Sequence, residues 1–205
     1  MPLPAEESFR CEIMSWMKVV KDAKRLSRII KNSGYYPHMV VAIGRGGFVP
    51  ARILCDYLLI KDLATIKVEH WGIAATPMGE AVIKFPLCAD IRQKKVLLVD
   101  DITDTGETLS VSLEHLRGFE PKEIRTAVLI HKITSNLIPD YFVKRIVRWR
   151  WVIFPWALWE DLVGFVSRIT TLGIRHPEDI SRELRRRYHI DVSIETIKDI
   201  LSEAK

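Results

Sequence analysis

The sequence predicts an α/β protein with a doubly wound, mainly parallel sheet, because a strand, a turn and a helix follow one another at two places. Val96–Val99 is a short run of Val and Leu that fits a strand buried on both faces, and a helical stripe starts at Leu109. Met39–Ile43 is a second buried strand, followed by a glycine turn and an apolar helix over about 51–59. Strands that alternate with helices in this way favour a parallel sheet.

The remaining elements follow the same two periodicities. Ser15 fits an N-cap for a helix whose apolar stripe runs from Trp16 to Ile30 and which Gly34 ends. Further strands are expected at Phe9–Met14, Thr65–His70, Val82–Phe85 and Ile124–Ile130. Near the C-terminus the pattern predicts three short helices, over Leu162–Leu172, from Pro177 to about Tyr188, and after a cap at Ser193.

The composition fits a cytoplasmic globular chain of one domain plus a small extension. The chain has 205 residues, is 48% hydrophobic, and contains no apolar run of about 18 residues and no signal-peptide pattern. Its three cysteines (Cys11, Cys55 and Cys88) lie far apart, which argues against a disulfide framework or a zinc site. The net charge of +5 suits a polyanionic small substrate as well as a nucleic acid.

The segment after the 96–99 strand carries the strongest chemical signal. Asp100 and Asp101 come first, and a turn at 103–108 with three threonines and Gly106 follows. The backbone N–H groups of such a turn and of the helix behind it favour a phosphate. Two adjacent carboxylates would repel a phosphate, so they should face a polyol or a metal ion. The turn is not a Walker A loop, because the Gly-Lys-Ser/Thr ending is absent.

A second glycine turn, Gly44–Pro50, lies between the 39–43 strand and its helix. Its glycines let the backbone approach a ligand closely, and Arg45 would bring a positive charge to the same place. Such turns are common for purely conformational reasons, so this signal is weak alone. It becomes strong beside the 103–108 turn.

Val99–Thr108 resembles the phosphoribosyl diphosphate signature of type I phosphoribosyltransferases. The resemblance implies that Asp100 and Asp101 hold the ribose hydroxyls and Mg²⁺, and that Asp104 is the candidate general acid or base. It further implies that the small-residue turn binds the 5′-phosphate of 5-phosphoribosyl 1-diphosphate and that the glycine loop binds its pyrophosphate. The residues concerned are Thr103, Thr105, Gly106, Glu107 and Thr108 in the turn, and Arg45, Gly46 and Gly47 in the loop.

Two later segments resemble the purine-binding branch of this family. Lys132 is expected just past a strand end, and the context 132–141 resembles the segment whose lysine donates a hydrogen bond to a 6-oxopurine. Trp151–Trp156 resembles the purine clamp, which implies stacking by Trp151 and edge contacts by the backbone of Val152. Core packing is expected for two or three of the four tryptophans between 149 and 159.

The resemblance implies an enzyme of purine salvage. It would join a purine base to 5-phosphoribosyl 1-diphosphate and release pyrophosphate and a nucleoside 5′-monophosphate. Lys132 narrowly favours hypoxanthine, guanine or xanthine; adenine stays an alternative, because the branch includes archaeal members that use adenine and carry helical C-terminal additions. A transcription regulator that senses phosphoribosyl diphosphate or a purine is an alternative of another class, and an orotate or uracil enzyme is a third.

The predicted organisation is a phosphoribosyltransferase domain with a small hood over residues 1–161 and a helical C-terminal extension over 162–205. The family commonly forms homodimers, and Trp71–Gly79 occupies the place of its closing loop. Three arginines at 185–187 raise the hypothesis of a DNA-binding helix-turn-helix in the extension. A packing or dimer-forming extension is the preferred interpretation, because a lone basic triplet is usually a solvated face and the resemblance implies no nucleic-acid partner.

Overall fold

The computed structural model describes residues 8–71 and 77–203, and describes side chains outside 70–79. These residues form two compact units. The sheet unit contains residues 16–70 and 78–149, and the helical unit contains residues 8–15 and 150–203 together with Trp71 and Pro77. In chain order the elements are β1 (Cys11–Ile13), α1 (Trp16–Asn32), β2 (Met39–Gly44), α2 (Phe48–Leu58), β3 (Leu63–Trp71), β4 (Pro77–Phe85), β5 (Lys95–Thr103), α3 (Glu107–Arg117), β6 (Glu123–Lys132), β7 (Tyr141–Ile146), β8 (Trp151–Ile153), α4 (Leu158–Thr171), α5 (Pro177–Tyr188) and α6 (Ile194–Glu203).

A six-stranded sheet forms the centre of the sheet unit. Its strand order is β4-β3-β2-β5-β6-β7. The pairs β2–β3, β2–β5, β5–β6 and β6–β7 are all parallel. Met39–Ile43 of β2 and Val96–Val99 of β5 are apolar and buried on both faces, which is why each reads as an uninterrupted hydrophobic run.

Helices cover both faces of this sheet. On one face, Leu109 and Leu116 of α3 share a core cluster with alternate residues of the central strands, such as Val41 and Leu98. The intervening strand residues are equally buried. The helices α1 and α2 pack on each other and contact β2, β5, β6 and β7. Because successive side chains of a strand point to opposite faces, this arrangement confirms the predicted doubly wound, mainly parallel α/β fold.

The helical unit has a core of its own. Strands β1 and β8 form a two-stranded parallel sheet. Residues from this pair and from α4, α5 and α6 build one cluster, in which the ring centroids of Phe165 and Tyr188 lie 4.5 Å apart and those of Phe9 and Tyr188 lie 5.1 Å apart. The three predicted C-terminal helices are therefore present, and they share their core with the strand that carries Trp151.

Three local predictions need correction. Strands β7 and β8 were not expected, because β7 carries Lys144 and Arg145 in place of an alternating pattern and β8 has only three residues. Lys132 was expected just past a strand end. It is instead the last residue of β6 and is only 1% exposed. The boundary at 161/162 stays a prediction.

The closing loop predicted at 71–79 falls largely on residues outside those described, which resume at Pro77. Within the described part of the chain, no helix has the length and apolar character needed to cross a membrane.

Candidate active site

The strand order creates a crevice between β2 and β5. The chain leaves β2 toward β3 and later returns to place β5 on the other side of β2. In open parallel sheets, ligands bind beyond the carboxyl ends of the strands at such a switch point. The register pairs Ala42 with Val99, so the residues that follow both lie at this edge. The predicted pyrophosphate loop and the predicted acidic pair are thereby brought together.

The glycine loop after β2 packs closely against the acidic pair. A Cβ atom added to Gly46 would lie 2.5 Å from Oδ2 of Asp101, and one added to Gly47 would lie 2.4 Å from the carbonyl oxygen of Val99. The N–H of Gly47 donates to the carbonyl of Ile43 over 2.8 Å, which closes the turn. Only glycine fits both positions without displacing the carboxylate or the strand. Arg45 is exposed in the same loop.

The side chains of Asp100 and Asp101 interact unfavourably, because their negative charges lie close together. Burial raises the pKa of Asp100 well above its usual range, and the charge of Asp101 adds to this effect. The N–H of Asp101 donates to Oδ1 of Asp100 over 2.9 Å and offsets part of the cost. The described residues contain no group of three or more His, Cys, Asp or Glu side chains arranged for a metal. Two carboxylates do fit Mg²⁺ held partly by substrate oxygens.

The turn at 103–108 leads directly into α3. Gly106 precedes the helix with φ of +92°, and α3 has no side-chain cap there. A Cβ at Gly106 would lie 2.7 Å from Oγ of Ser135, because the 132–137 segment packs against the turn. The N–H of Asn136 also donates to the carbonyl of Thr105 over 2.8 Å. The turn is thus fixed by a neighbouring loop, and the positive end of α3 faces the region predicted for the 5′-phosphate.

Thr103 is placed differently from the other turn residues. It ends β5, is buried, and its hydroxyl lies 2.9 Å from Nδ1 of His131. Burial lowers the pKa of His131, and nearby Arg145 adds to the shift, so the neutral imidazole is favoured. A direct phosphate contact by the Thr103 hydroxyl would compete with this hydrogen bond. Its phosphate-binding role stays a prediction, as do those of Thr105, Glu107 and Thr108.

A buried ion pair joins the ends of β5 and β6. Nζ of Lys132 contacts Oδ2 of Asp104, and the side chains are 2% and 11% exposed. The hydroxyl of Thr134 donates to the backbone carbonyl of Asp104 over 2.9 Å and lies 3.3 Å from its Oδ1. The candidate base-binding lysine and the candidate acid or base, which are 28 residues apart in the sequence, are therefore in direct contact.

Trp149 is a site residue that sequence reasoning missed. Its Nε1 donates to Oδ1 of Asp104 over 3.2 Å, and its ring centroid lies 4.7 Å from Nζ of Lys132. Only the unusual density of tryptophans at 149–159 hinted at this role, and the resemblance directed attention to Trp151 instead. Thr134 was also missed, because it contacts Asp104, which is 30 residues away in the sequence.

Trp151 and Val152 belong to the helical unit. Both lie in β8, whose register pairs them with Cys11 and Glu12 of β1. The indole Nε1 of Trp151 donates to Oδ2 of Asp161 over 3.0 Å, and the ring packs partly against the core of this unit. Val152 is buried. Trp151 thus has a core-packing role, and the base-binding roles of both residues stay predictions.

Fold and site together define a class of protein: an α/β protein whose parallel strands end in a glycine loop, an acidic pair and a turn at a helix N-terminus. Residues 11–161 match the family model described as phosphoribosyl transferase domain. The chain therefore belongs to the phosphoribosyltransferase family.

Similar proteins agree with this membership. A xanthine-guanine phosphoribosyltransferase of Ruegeria sp. is 34% identical over 166 residues, which covers 76% of this chain and 89% of the relative. A protein of the same name from Nitratidesulfovibrio vulgaris is 29% identical over 70% of this chain and 82% of its own. The crystal structure of a purine phosphoribosyltransferase from Pyrococcus horikoshii superposes with a TM-score of 0.61 and 32% identity, covering 71% of this chain and 93% of that one.

Proposed function

We propose that this chain is a purine phosphoribosyltransferase of purine salvage that prefers 6-oxopurines. In the reaction, N9 of the base forms a bond to C1 of the ribose, and the bond from C1 to the pyrophosphate oxygen breaks. The products are a nucleoside 5′-monophosphate and pyrophosphate. The family match and the names of the relatives confirm the predicted enzyme class and support the preference for oxopurines.

The single observation that carries this proposal is the contact between Lys132 and Asp104. A 6-oxopurine protonated at N7 presents an acceptor, O6, next to a donor, the N7–H, on one edge. The ammonium donates and the carboxylate accepts, so the pair is complementary to that edge. As N9 bonds to the ribose, the N7 proton passes to Asp104, which is the role of a general base.

Adenine fits this pair less well. It presents an amino group where an oxopurine presents O6, so the Lys132 ammonium would face another donor. Two donors that face each other in a buried site leave hydrogen bonds unmade, which is costly, and Lys132 is almost fully buried. An enzyme for adenine would need Lys132 to point elsewhere, which remains the alternative outcome of the assay below.

The remaining roles are those that the family resemblance implies. In the proposal, Arg45, Gly46 and Gly47 hold the pyrophosphate, the 103–108 turn holds the 5′-phosphate, and Trp151 and Val152 hold the base. Asp100 and Asp101 would bind the ribose hydroxyls and Mg²⁺. When bound, Mg²⁺ supplies charge stabilisation at the pyrophosphate oxygens. Positioning and electrostatics supply most of the catalysis.

We also propose a cytoplasmic, homodimeric enzyme that resembles archaeal members of this branch.

The alternative of a DNA-binding regulator rested on the basic triplet in α5. Oxygens of Glu183 lie 2.7 Å from Nη2 of Arg186 and 2.5 Å from Nε of Arg187, and Oδ1 of Asp191 lies 2.8 Å from Nη2 of Arg185. Two carboxylates thus offset part of the charge of the three arginines and occupy their donors, which disfavours a phosphate-binding face.

A product assay tests the proposal. The protein is mixed with 5-phosphoribosyl 1-diphosphate, Mg²⁺ and one of hypoxanthine, guanine, xanthine or adenine, and the nucleotide is separated and quantified. We expect product with at least one oxopurine, with a higher kcat/KM than with adenine. Product with adenine alone would contradict the proposed role of Lys132. No product with any base would contradict the proposed enzyme activity and would favour the alternative of a transcription regulator.

A further inference from the structure

Trp149 is an exposed tryptophan with two contacts to the base-reading pair. It lies after β7 and the residue is 41% exposed, so it contributes little to a core. Its indole N–H donates to Asp104 over 3.2 Å, and its ring lies over the ammonium of Lys132 at 4.7 Å. Both partners are nearly buried and charged, which is the setting in which such contacts are strongest.

The contacts divide the two oxygens of Asp104 between two tasks. Oδ1 accepts from the indole of Trp149 and lies 3.3 Å from the hydroxyl of Thr134, whereas Oδ2 contacts Lys132. One donor on each oxygen, the indole N–H on Oδ1 and the ammonium on Oδ2, restrains the plane of the carboxylate. Oδ2 then keeps its place beside the ammonium, where the edge of a base would bind. A carboxylate without these donors could rotate and present either oxygen, or turn away.

The ring of Trp149 orients the lysine in a complementary way. An ammonium is attracted to the negative face of an indole, and the attraction has no preferred donor direction. The N–H bonds of Lys132 can therefore point to acceptors such as Oδ2 of Asp104, while the position of Nζ is restrained. One indole thus holds both charged groups through two different interactions.

We propose that Trp149 is a positioning residue that sets the preference for 6-oxopurines by fixing Asp104 through its N–H and Lys132 through its ring. The inference rests on the proposed function, because the pair must read a purine. It predicts that the two contacts can be separated by substitution. Trp149→Phe keeps an aromatic face and loses the donor, and Trp149→Leu loses both.

The experiment measures steady-state kinetics of the full chain with hypoxanthine and with adenine. For Trp149→Phe we expect kcat with hypoxanthine to fall at least about tenfold, the scale of one hydrogen bond to a charged group. Trp149→Leu should also raise KM for hypoxanthine by about fivefold, the scale of a lost cation–π contact. In both variants the ratio of kcat/KM for hypoxanthine to that for adenine should fall, while KM for 5-phosphoribosyl 1-diphosphate stays the same.

Trp159→Phe is the matched control. Trp159 lies in α4 and is 44% exposed, close to the exposure of Trp149. This variant should keep the wild-type constants with both bases. A double variant then shows whether Trp149 acts through Asp104. In an Asp104→Asn background, adding Trp149→Phe should lower kcat by less than about twofold, because contacting residues couple in such cycles.

The outcomes separate the inference from the proposed function. An inactive wild type would refute the function itself. An active wild type together with Trp149→Phe and Trp149→Leu variants of unchanged kcat and base preference would refute the positioning role alone. Equal losses for hypoxanthine and adenine, with an equal rise in KM for 5-phosphoribosyl 1-diphosphate, would also refute it, because a general structural defect lowers every constant alike.

Discussion

At the scale of single residues, Asp104 is the group on which the proposed chemistry depends most. Its Oδ2 contacts Nζ of Lys132, and its Oδ1 accepts a hydrogen bond from Nε1 of Trp149. Asp104→Asn keeps the shape of the side chain and removes its ability to accept the proton from N7 of the purine base. We expect kcat to fall by about 100-fold or more, the usual contribution of a general base. KM for 5-phosphoribosyl 1-diphosphate should change less than about threefold, because the side chain of Asp104 contacts Lys132 and Trp149. Steady-state kinetics with hypoxanthine measures both.

Asp90→Asn is the control for this substitution. Asp90 is exposed, and its Oδ1 accepts the backbone N–H of Arg92 over 3.0 Å; it precedes β5, whose other end carries the candidate site. The control should be as active as the wild type. An Asp104→Asn variant with unchanged turnover would remove Asp104 as the general base.

Gly46 tests the contact between the glycine loop and the acidic pair. A Cβ there would overlap the carboxylate of Asp101. Gly46→Ala must displace that carboxylate or the loop, so we expect KM for 5-phosphoribosyl 1-diphosphate to rise at least about tenfold, the loss caused by a misplaced binding group. Gly118→Ala is the matched control, because a Cβ at Gly118 meets nothing nearer than 3.4 Å and its φ is −61°. If Gly46→Ala and Gly118→Ala had equal KM values for 5-phosphoribosyl 1-diphosphate, the close packing of Gly46 against Asp101 would be contradicted.

The residue types that carry chemistry could be predicted, and their surroundings could not. Asp100, Asp101 and the glycine turns stand in contiguous motifs, so the sequence displays them together. Lys132 was expected just past a strand end because a charge after an apolar run suggests that the strand has ended, but its ion pair with Asp104 lets the strand continue through it. Trp149 contacts residues 17 and 45 positions away, which no local pattern can reveal.

At the scale of elements, burial explains which ones the sequence could predict. Central strands buried on both faces and amphipathic helices such as α1 have clear periodicities, and these were expected within a few residues of their bounds. Strand β7 lies at the edge of the sheet, where charged side chains are tolerated on one side. Its sequence therefore lacks a strand pattern.

Helix α5 offers a test of the charge network in the helical unit. Glu183 accepts from Arg186 and from Arg187, which are three and four residues further along the helix. These hydrogen bonds lower the pKa of Glu183 to about 2, from a usual value of 4.5. A carboxyl with a lowered pKa in the folded protein stabilises it above its unfolded pKa, and this contribution disappears as the pH falls through the folded value. The pair should therefore stabilise the unit at pH 7 and lose its effect between about pH 4.5 and pH 2.

Glu183→Gln should lower the free energy of unfolding at pH 7 by about 1 kcal/mol, the scale of ion pairs near a surface. The difference from the wild type should vanish by about pH 2. Urea unfolding at several pH values measures this. Glu178→Gln on the same helix is the control, since Glu178 and its partner His176 are both exposed, and it should change the free energy by less than about 0.5 kcal/mol. A Glu183→Gln variant with wild-type stability at pH 7 would show that the network contributes nothing.

At the scale of the whole molecule, the helical unit draws on both ends of the chain. Residues 8–15 and 150–203 belong to it, and its core contains Cys11 of β1, Ile153 of β8 and residues of all three C-terminal helices. The predicted boundary at 161/162 follows the family resemblance, whereas the core continues across that position. The strand that carries Trp151 and Val152 therefore depends on the C-terminal helices for its packing.

This dependence makes truncation informative. A chain that ends at Asp161 loses most of the core residues around Cys11 and Ile153, and we expect a lower melting temperature and a loss of saturable base binding. A chain that ends at Glu203 keeps every residue of this core and is the control.

Because the truncated chain could fail to fold altogether, Phe165→Ala tests the same core by weakening it without removing the helices. It removes a fully buried ring that packs against Tyr188, which typically costs about 3–5 kcal/mol, so its activity should be lost at a lower temperature than that of the wild type. A chain ending at Asp161 with full activity and an unchanged melting temperature would show instead that the C-terminal helices are a separate module.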